Sequence, residues 1–182
     1  MTEPYRVPDI FETDRYVVRR VRETDAEPIF HSYATDPVVT RFLTWLPATS
    51  PEDTRSNVIQ CGADWDQGTR FASVITPRAE EGRILGMIDA RLGAGLVGYG
   101  YVLCRAAWGQ GCMTEILSWQ IAHALAHPRI YRTEALCDVD NLASARVMEK
   151  AGMVREGVLR RRLISPAVSD EPRDCYLYAK VR

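Results

Sequence analysis

Residues 108–115, with the sequence WGQGCMTE, join a predicted strand to a predicted helix through a turn that contains two glycines. The strand is predicted over residues 97–103, and after the turn apolar side chains recur at helical spacing from Met113 to Leu125. Glycine lets the backbone approach a ligand closely, and the first amides of a helix have no hydrogen-bond partner inside it. Such a junction can bind a phosphate through its N–H groups and the helix dipole. An ordinary turn is the alternative.

A second segment, residues 140–153, carries polar side chains at the two ends of a predicted helix. Asp140 or Asn141 can cap its first turn, and Gly152 ends it. Ser144 lies in the first turn, where a hydroxyl usually bonds to the backbone. Taken alone, this segment predicts a capped helix and no chemistry.

The segments that must position these residues form one mixed domain. Residues 1–14, with Pro4 and Pro8, are expected to be a loose lead-in, and residues 15–182 a single domain. Alternating side chains predict strands over residues 15–21, 69–76, 83–92, 97–103, 132–139, 154–164 and 175–181. Capping and spacing predict helices from Thr24 to before Asp36, from Ser50 to Trp65, from Met113 to Leu125 and from Asn141 to Ala151. This order indicates an α/β (mixed α+β) fold around a largely antiparallel sheet.

The composition is that of an ordinary globular protein, and it excludes several classes of function. The 182 residues are 46% hydrophobic and 26% charged with a formal net charge of −1, so neither nucleic acid nor a membrane is expected as a partner. The five cysteines include no C-x-x-C pair, which, without a secretory signal, favours reduced thiols and a cytoplasmic location. No apolar run reaches the roughly 18 residues of a membrane span. His31, His123 and His127 form no metal set with the cysteines.

Taken together and in this order, the two segments resemble the GNAT superfamily of acyl-CoA-dependent N-acetyltransferases. Within it the chain is most similar to the RimJ/RimL-type group, which acetylates ribosomal-protein N-termini and related amines. The resemblance runs from Thr13 to Arg182. The sequence TDRYVVR at 13–19 matches the family's opening strand, and DPVV at 36–39 with TWLP at 44–47 matches its substrate-side helices. The pyrophosphate loop is matched by WGQG at 108–111 with Thr114 and Glu115. The second cofactor helix is matched by Asn141, Ser144 and EKAG at 149–152.

The resemblance implies acetyl-CoA as the acyl donor, no metal, and direct attack of a substrate amine on the thioester. It also implies a single GNAT-like domain whose sheet opens at a splayed parallel strand pair beside the cofactor. Backbone groups of Val102 and Leu103 are then expected to bind the pantetheine arm, with one N–H polarising the thioester carbonyl. Asn141 is expected to contact the pantetheine or to order the loop. The expected cofactor-binding residues of the loop are Trp108, Gly109, Gln110, Gly111, Cys112, Met113 and Thr114.

Three positions depart from the family pattern. Ala106 stands where the loop usually has Arg or Gln, and the neighbouring Arg105 is the candidate substitute. Gly98 occupies a position at which RimJ/RimL-type enzymes often have a glutamate base. Met148 occupies the position of a tyrosine that many members use to protonate the departing thiolate. Ser144 is therefore the expected catalytic acid.

The base and the substrate stay open at this stage. Asp89, Tyr99, Tyr101 and water are the candidates for the base. An α-amine with a pKa near 8 is neutral for on the order of 10% of molecules at pH 7, and a lysine for about 0.04%. A site without a strong carboxylate base thus favours a protein or peptide N-terminus as substrate. A small amine (an amino acid, polyamine or antibiotic) is one alternative, and a catalytically weak acyl-CoA-binding module is another. A homodimer and the acyl-chain preference are left open.

Overall fold

The computed structural model describes residues 3–80 and 82–182. Within them lie the strands β1 (Ile10–Glu12), β2 (Tyr16–Arg20), β3 (Arg70–Pro77), β4 (Gly86–Leu92), β5 (Leu96–Leu103), β6 (Arg132–Asp138), β7 (Val154–Leu163) and β8 (Arg173–Val181). The α-helices are α1 (Ala26–Ile29), α2 (Pro37–Thr40), α3 (Pro51–Gln67), α4 (Cys112–Ala126) and α5 (Leu142–Lys150).

The strands form one sheet in the order β1-β2-β3-β4-β5-β6-β8-β7. Every neighbouring pair is antiparallel except β5 and β6, which are parallel and whose connection is the crossover through α4. The predicted mixed fold with a largely antiparallel sheet is confirmed. The parallel pairing runs only from Leu96 opposite Arg132 to Tyr99 opposite Ala135, although both strands continue beyond it. The sheet therefore opens between β5 and β6 past Tyr99, as the splayed pair requires.

Strand register assigns the residues around this opening to two faces of the sheet. Asp89 lies opposite Gly100 and Arg91 opposite Gly98, so these four residues share one face, which we call the cleft face. Tyr101, one residue on from Gly100, points to the other face with Tyr99. The helices α1 and α3 border the cleft face, and α4 and α5 pack on the other.

The first described residues are part of the core, so the expectation of a loose lead-in over 1–14 is wrong for residues 3–14. Tyr5 and Val7 are buried, and β1 adds an edge strand that pairs with β2. His123 of α4 and His127, the C-cap residue of that helix, hold the same segment, since the Nε2 atom of each lies 3.0 Å from a carbonyl oxygen of it. Residues 1 and 2 lie outside the described residues.

The substrate-side segment is less regular than the sequence predicts. A 3-10 turn (Glu23–Asp25) leads into α1, and one π-helical turn (Phe30–Ala34) follows it. The short α2 then precedes a loop, so TWLP at 44–47 is not helical, contrary to the matched helix pattern. The strong start signal at Ser50 is confirmed, because its hydroxyl accepts a hydrogen bond from Asp53 N–H at the first turn of α3. No helix in the described part of the chain has the length and apolarity to cross a bilayer.

Candidate active site

The turn before α4 contains two glycines with positive φ. Gly109 and Gly111 have φ of +72° and +74°, the left-handed region that glycine adopts without strain. Gly111 is the N-cap of α4, and its carbonyl accepts the hydrogen bond of Glu115 N–H. The N–H groups of residues 112–114 precede that bond and have no acceptor inside the helix, and the positive end of the helix dipole lies at the same place.

Two side chains of this loop form hydrogen bonds with nearby backbone carbonyls and so stabilise its conformation. Trp108 Nε1 donates to Leu103 O at 2.8 Å, and Gln110 Nε2 donates to Ala106 O at 2.6 Å. Cys112 and Met113 are buried. Only backbone groups of these two predicted cofactor residues can therefore reach a phosphate, while Thr114 is half-buried in the first turn.

An arginine that the sequence reading did not single out clamps the loop from a distant strand. Arg15, just before β2, donates through Nη1 to Gln110 O at 2.9 Å and through Nε to Glu115 at 2.8 Å. A Cβ built on Gly111 would lie 3.5 Å from Arg15 Nη2. Arg105, the expected substitute for the missing loop arginine, instead donates to Asp36 at 2.6 Å. The prediction that Arg105 replaces the missing loop arginine is thus wrong, and the guanidinium that contacts the loop is that of Arg15.

A cavity of about 860 Å³ occupies the opening of the sheet and extends over the cleft face. One end is lined by Val102, Leu136, Asn141 and Ser144, beside the splayed strands. The other end lies under the loop after α2 and is lined by Tyr33 of the π-turn and by residues 42–48. Its volume falls within the range of ligand sites, roughly 300–1,000 Å³.

Ser144 is paired with a tyrosine at the opening. Ser144 Oγ lies 2.8 Å from the hydroxyl of Tyr101, and the N–H of Ser144 donates to Asn141 Oδ1 at 3.2 Å. Burial raises the pKa of Tyr101 above its ordinary value, so the phenol stays protonated at neutral pH. Asn141 thus acts as the N-cap of α5, and Ser144 and Tyr101 form a hydroxyl pair on the wall of the cavity. Met148, at the usual tyrosine position, is fully buried.

The cysteine on the cavity wall is not an activated nucleophile. Burial raises the pKa of the Cys137 thiol to about 12, and burial likewise raises the pKa of Cys112 to about 11. Nucleophilic cysteines have pKa values lowered below about 8.5. All five cysteines are free and buried, so this chain offers little support for an acyl-cysteine route. Among residues 3–80 and 82–182, no three or more His, Cys, Asp or Glu side chains converge as a metal site.

The candidate bases differ sharply in their surroundings. Tyr99 donates to Gln120 O at 2.9 Å beneath the sheet, which separates its hydroxyl from the cleft face. Asp89 is on the cleft face, but its Oδ2 accepts hydrogen bonds from Arg70 and Arg91, each at 2.8 Å. Tyr101 points to α5.

A carboxylate missed by the sequence reading lies beside Gly98. Glu134 of β6 pairs in register with Gly98, lines the cavity, and accepts a hydrogen bond from Arg132 at 2.9 Å. The family pattern on β5 points only to position 98, and Glu134 lies 36 positions further along the chain. The parallel strand pairing brings the two positions together.

Sequence comparison assigns the chain to a family. A profile described as an acetyltransferase (GNAT) domain matches residues 15–154. The chain belongs to this family. It is an N-acetyltransferase that uses acetyl-CoA as the acyl donor and an amine as the acceptor. The GNAT resemblance, the enzyme class and the donor inferred from the sequence are thereby confirmed.

Relatives and solved structures agree with this assignment. The uncharacterized N-acetyltransferase YoaA of Bacillus subtilis (strain 168) is 29% identical over 176 residues, which cover 95% of this chain and 97% of YoaA. The uncharacterized N-acetyltransferase p20 of Bacillus licheniformis is 28% identical over 153 residues, 81% of this chain and 84% of p20.

Among solved structures, the ribosomal L7/L12 α-N-protein acetyltransferase RimL in complex with coenzyme A has a TM-score of 0.83 at 21% identity, covering 94% of this chain and 97% of RimL. The microcin C7 self-immunity acetyltransferase MccE, in complex with acetyl-CoA and AMP, has the same TM-score at 22% identity, covering 93% and 94%. At these identities the likeness establishes a shared fold, which is that of the RimJ/RimL-type structures.

Proposed function

We propose that this GNAT enzyme acetylates an α-amine, and that a protein or peptide N-terminus is its acceptor. The observation that carries the proposal concerns the side chains on the strand surface that the amine must approach. At the opening of the sheet, the cleft face of β5 carries Gly98 and Gly100 and no carboxylate, and the two carboxylates beside these glycines, Asp89 and Glu134, accept hydrogen bonds from arginines. An acceptor that already has a neutral fraction at physiological pH is suited to such a site. RimL, which shares this fold, is named for acting on a ribosomal-protein N-terminus.

In this proposal the loop and the splayed strand hold the donor. The backbone N–H groups from Gly109 to Thr114 bind the pyrophosphate, and Arg15 keeps the loop in place. Val102 pairs with Met87 of β4, so past Tyr99 the backbone groups of β5 that face the opening, among them Leu103 N–H, bind the pantetheine arm. They also present an N–H to the thioester carbonyl, where negative charge develops. When bound, acetyl-CoA supplies the acetyl thioester at the mouth of the splay.

Proton transfer completes the reaction. The amine nitrogen forms a bond to the carbonyl carbon, the carbon–sulfur bond breaks, and the amine loses one proton to water in the cleft, from which the hydroxyl pair recovers the proton that it gives to sulfur. Tyr101 donates its O–H to Ser144 Oγ in one orientation of the hydroxyl pair, and this frees the Ser144 O–H to protonate the departing sulfur. The raised pKa of Tyr101, which burial causes, keeps the pair fully protonated for this step.

A pH profile and a panel of acceptors test the proposal. Free CoA release is measured with peptides bearing a free N-terminus, with N-terminally blocked peptides bearing one lysine, and with small amines including polyamines. We expect N-terminal peptides to be the best acceptors, with kcat/KM rising through the amine pKa near 8 because the neutral amine is the reactive form. Efficient transfer to lysine at pH 7 would refute the α-amine assignment. A best acceptor among the polyamines would favour the small-amine alternative, and binding of acetyl-CoA without transfer would favour the weak binding module.

Restoring a carboxylate at Gly98 should change this profile. A Cβ built on Gly98 meets nothing closer than Arg91 O at 4.0 Å, so a side chain fits there. We expect Gly98→Glu to raise the rate at pH 6 about tenfold relative to wild type, which is below the roughly 100- to 10,000-fold contribution of a general base in an evolved site. Gly98→Gln is the uncharged control and should leave the profile unchanged. Equal rates for the Glu and Gln variants at pH 6 would mean that deprotonation of the amine is not limiting.

The clamp by Arg15 gives a further prediction for donor binding. Arg15→Met keeps the apolar stem and removes the bonds to Gln110 and Glu115, so we expect the KM for acetyl-CoA to rise ~3–10-fold, the value of about one hydrogen bond. The turnover number should stay near wild type. Arg55→Met is the matched control, because the Arg55 side chain is 52% exposed, against 49% for Arg15, and it pairs with Glu23 away from the loop. A lower turnover number with unchanged KM in Arg15→Met would contradict a role at the loop.

A further inference from the structure

Three charged side chains lie together on the floor of the cavity. Arg70 of β3 and Arg91 of β4 are register partners, and both donate to Asp89 Oδ2 at 2.8 Å. Arg70 also lies 3.8 Å from Asp64 of α3. Asp89 is 7% exposed. Arg70 and Arg91 are the basic side chains among the described residues that line the cavity.

The two arginines are not equivalent. Arg70 has 22% of its side chain exposed and lies between two carboxylates, whereas Arg91 is 58% exposed and shares only Asp89. A guanidinium has five N–H donors in a planar fork. The single bond to Asp89 fixes one edge of the Arg91 fork and leaves the rest open to the cavity. The Arg91 guanidinium is therefore held in place by Asp89 and keeps further N–H groups available for a ligand.

The Arg91 guanidinium lies over the point at which the acceptor amine must arrive. A Cβ built on Gly100 would be 3.2 Å from Arg91 Nη2, so the fork covers the first residue of β5 beyond its pairing with β6. Two other carboxylates line the cavity, and both have partners. Asp53 accepts from Thr49 and Ser50, and Glu134 accepts from Arg132. Asp89 Oδ1 is buried without a partner among the described residues, and of the basic side chains that line the cavity Arg91 is the more exposed, with donors beyond its bond to Asp89.

We infer that the acceptor carries a carboxylate within a few bonds of its amine, and that Arg91 binds this carboxylate. The inference rests on the proposed function, since it uses the same cleft and the same amine. A simple cationic amine meets a like charge at Arg91, whereas an acceptor with an adjacent carboxylate presents the complementary group. The planar fork matches a carboxylate in two parallel hydrogen bonds.

Two sources supply this chemistry, and paired acceptors distinguish them. The first is a peptide whose N-terminal residue is Glu or Asp, compared with the isosteric Gln or Asn peptide. The second is a free amino acid such as alanine, compared with alaninamide. We expect kcat/KM to favour the carboxylate member of one pair by ~10-fold, equivalent to about 1.4 kcal/mol. The pair that shows the preference identifies the source.

Variants of Arg91 test whether this side chain causes the preference. Arg91→Gln should reduce the ratio between carboxylate and amide acceptors to within about twofold, while the affinity for acetyl-CoA and the rate with the amide acceptor stay near wild type. Arg91→Lys keeps the charge without the fork and should retain part of the preference. Arg129→Gln, which removes an exposed arginine outside the cavity, should retain all of it.

The outcomes separate this inference from the proposed function. Transfer to N-terminal amines without a carboxylate preference, or a preference that survives in Arg91→Gln, would overturn the role of Arg91 and leave the proposed function intact. Transfer to lysine side chains alone would overturn the proposed function and this inference with it. Thermal unfolding of each variant shows whether it is folded. If Arg91→Gln does not fold, Arg91→Lys provides the test, because it retains a cation beside Asp89.

Discussion

The Gly111→Val variant is expected to lose at least ~100-fold in affinity for acetyl-CoA, because two or more charge-assisted hydrogen bonds of about 1.5 kcal/mol each depend on close approach at this residue. Gly111 is the N-cap of α4, and its φ of +74° lies in the left-handed region. A branched side chain there covers the free amides of the first turn and keeps the phosphates at a distance. Calorimetric titration with acetyl-CoA or CoA measures the loss.

The control for this variant must carry the same backbone strain without the ligand. Gly68 ends α3 with a φ of +72°, and a Cβ there meets only Arg6 Nη1 at 3.8 Å. Valine in a left-handed position costs on the order of 1–3 kcal/mol of stability at either glycine, which a domain with 5–15 kcal/mol can tolerate. We therefore expect Gly68→Val and Gly111→Val to lower Tm similarly, with normal affinity for acetyl-CoA only in the first. Normal affinity in both would place the pyrophosphate elsewhere.

Local signals predicted the parts of this site that depend on short stretches of chain. The Ser50 cap with Pro51 predicted the start of α3, and the glycine pair before a helical apolar pattern predicted the loop at α4. Both features depend on backbone conformations that neighbouring residues determine. The splayed strand pair was predicted from the family resemblance, because no feature of β5 or β6 alone indicates where their pairing ends.

Contacts between distant segments could not be predicted in this way. Alternation shows that Tyr99 and Tyr101 share a face, yet strand register and helix placement decide that this face meets α4 and α5. Arg15 reaches Gln110 across 95 positions of the chain, and no periodic pattern encodes such a pair. The edge strand β1 was missed because three residues between prolines and polar turns carry too little alternation to be recognised.

The hydroxyl pair at the opening gives the prediction with the largest effect on turnover. If Ser144 protonates the departing thiolate, Ser144→Ala should lower kcat by ~10- to 1,000-fold, which overlaps the usual range for general acid–base groups. The affinity for acetyl-CoA should change little, because the backbone N–H of Ser144 still caps α5 through Asn141. A kcat near wild type would reduce Ser144 to a structural hydroxyl.

Tyr101→Phe distinguishes a relay from a lone donor. The Tyr101 hydroxyl lies 2.8 Å from Ser144 Oγ and 3.2 Å from the Ser144 carbonyl oxygen, so it holds Ser144 in place, and its removal should lower kcat in the same direction as Ser144→Ala. If the two hydroxyls act as one unit, the double variant should be about as slow as the slower single variant, because groups acting together are not additive. Fully multiplicative effects would indicate independent roles. Tyr176→Phe, which alters another half-buried tyrosine that does not line the cavity, is the matched control and should retain wild-type turnover.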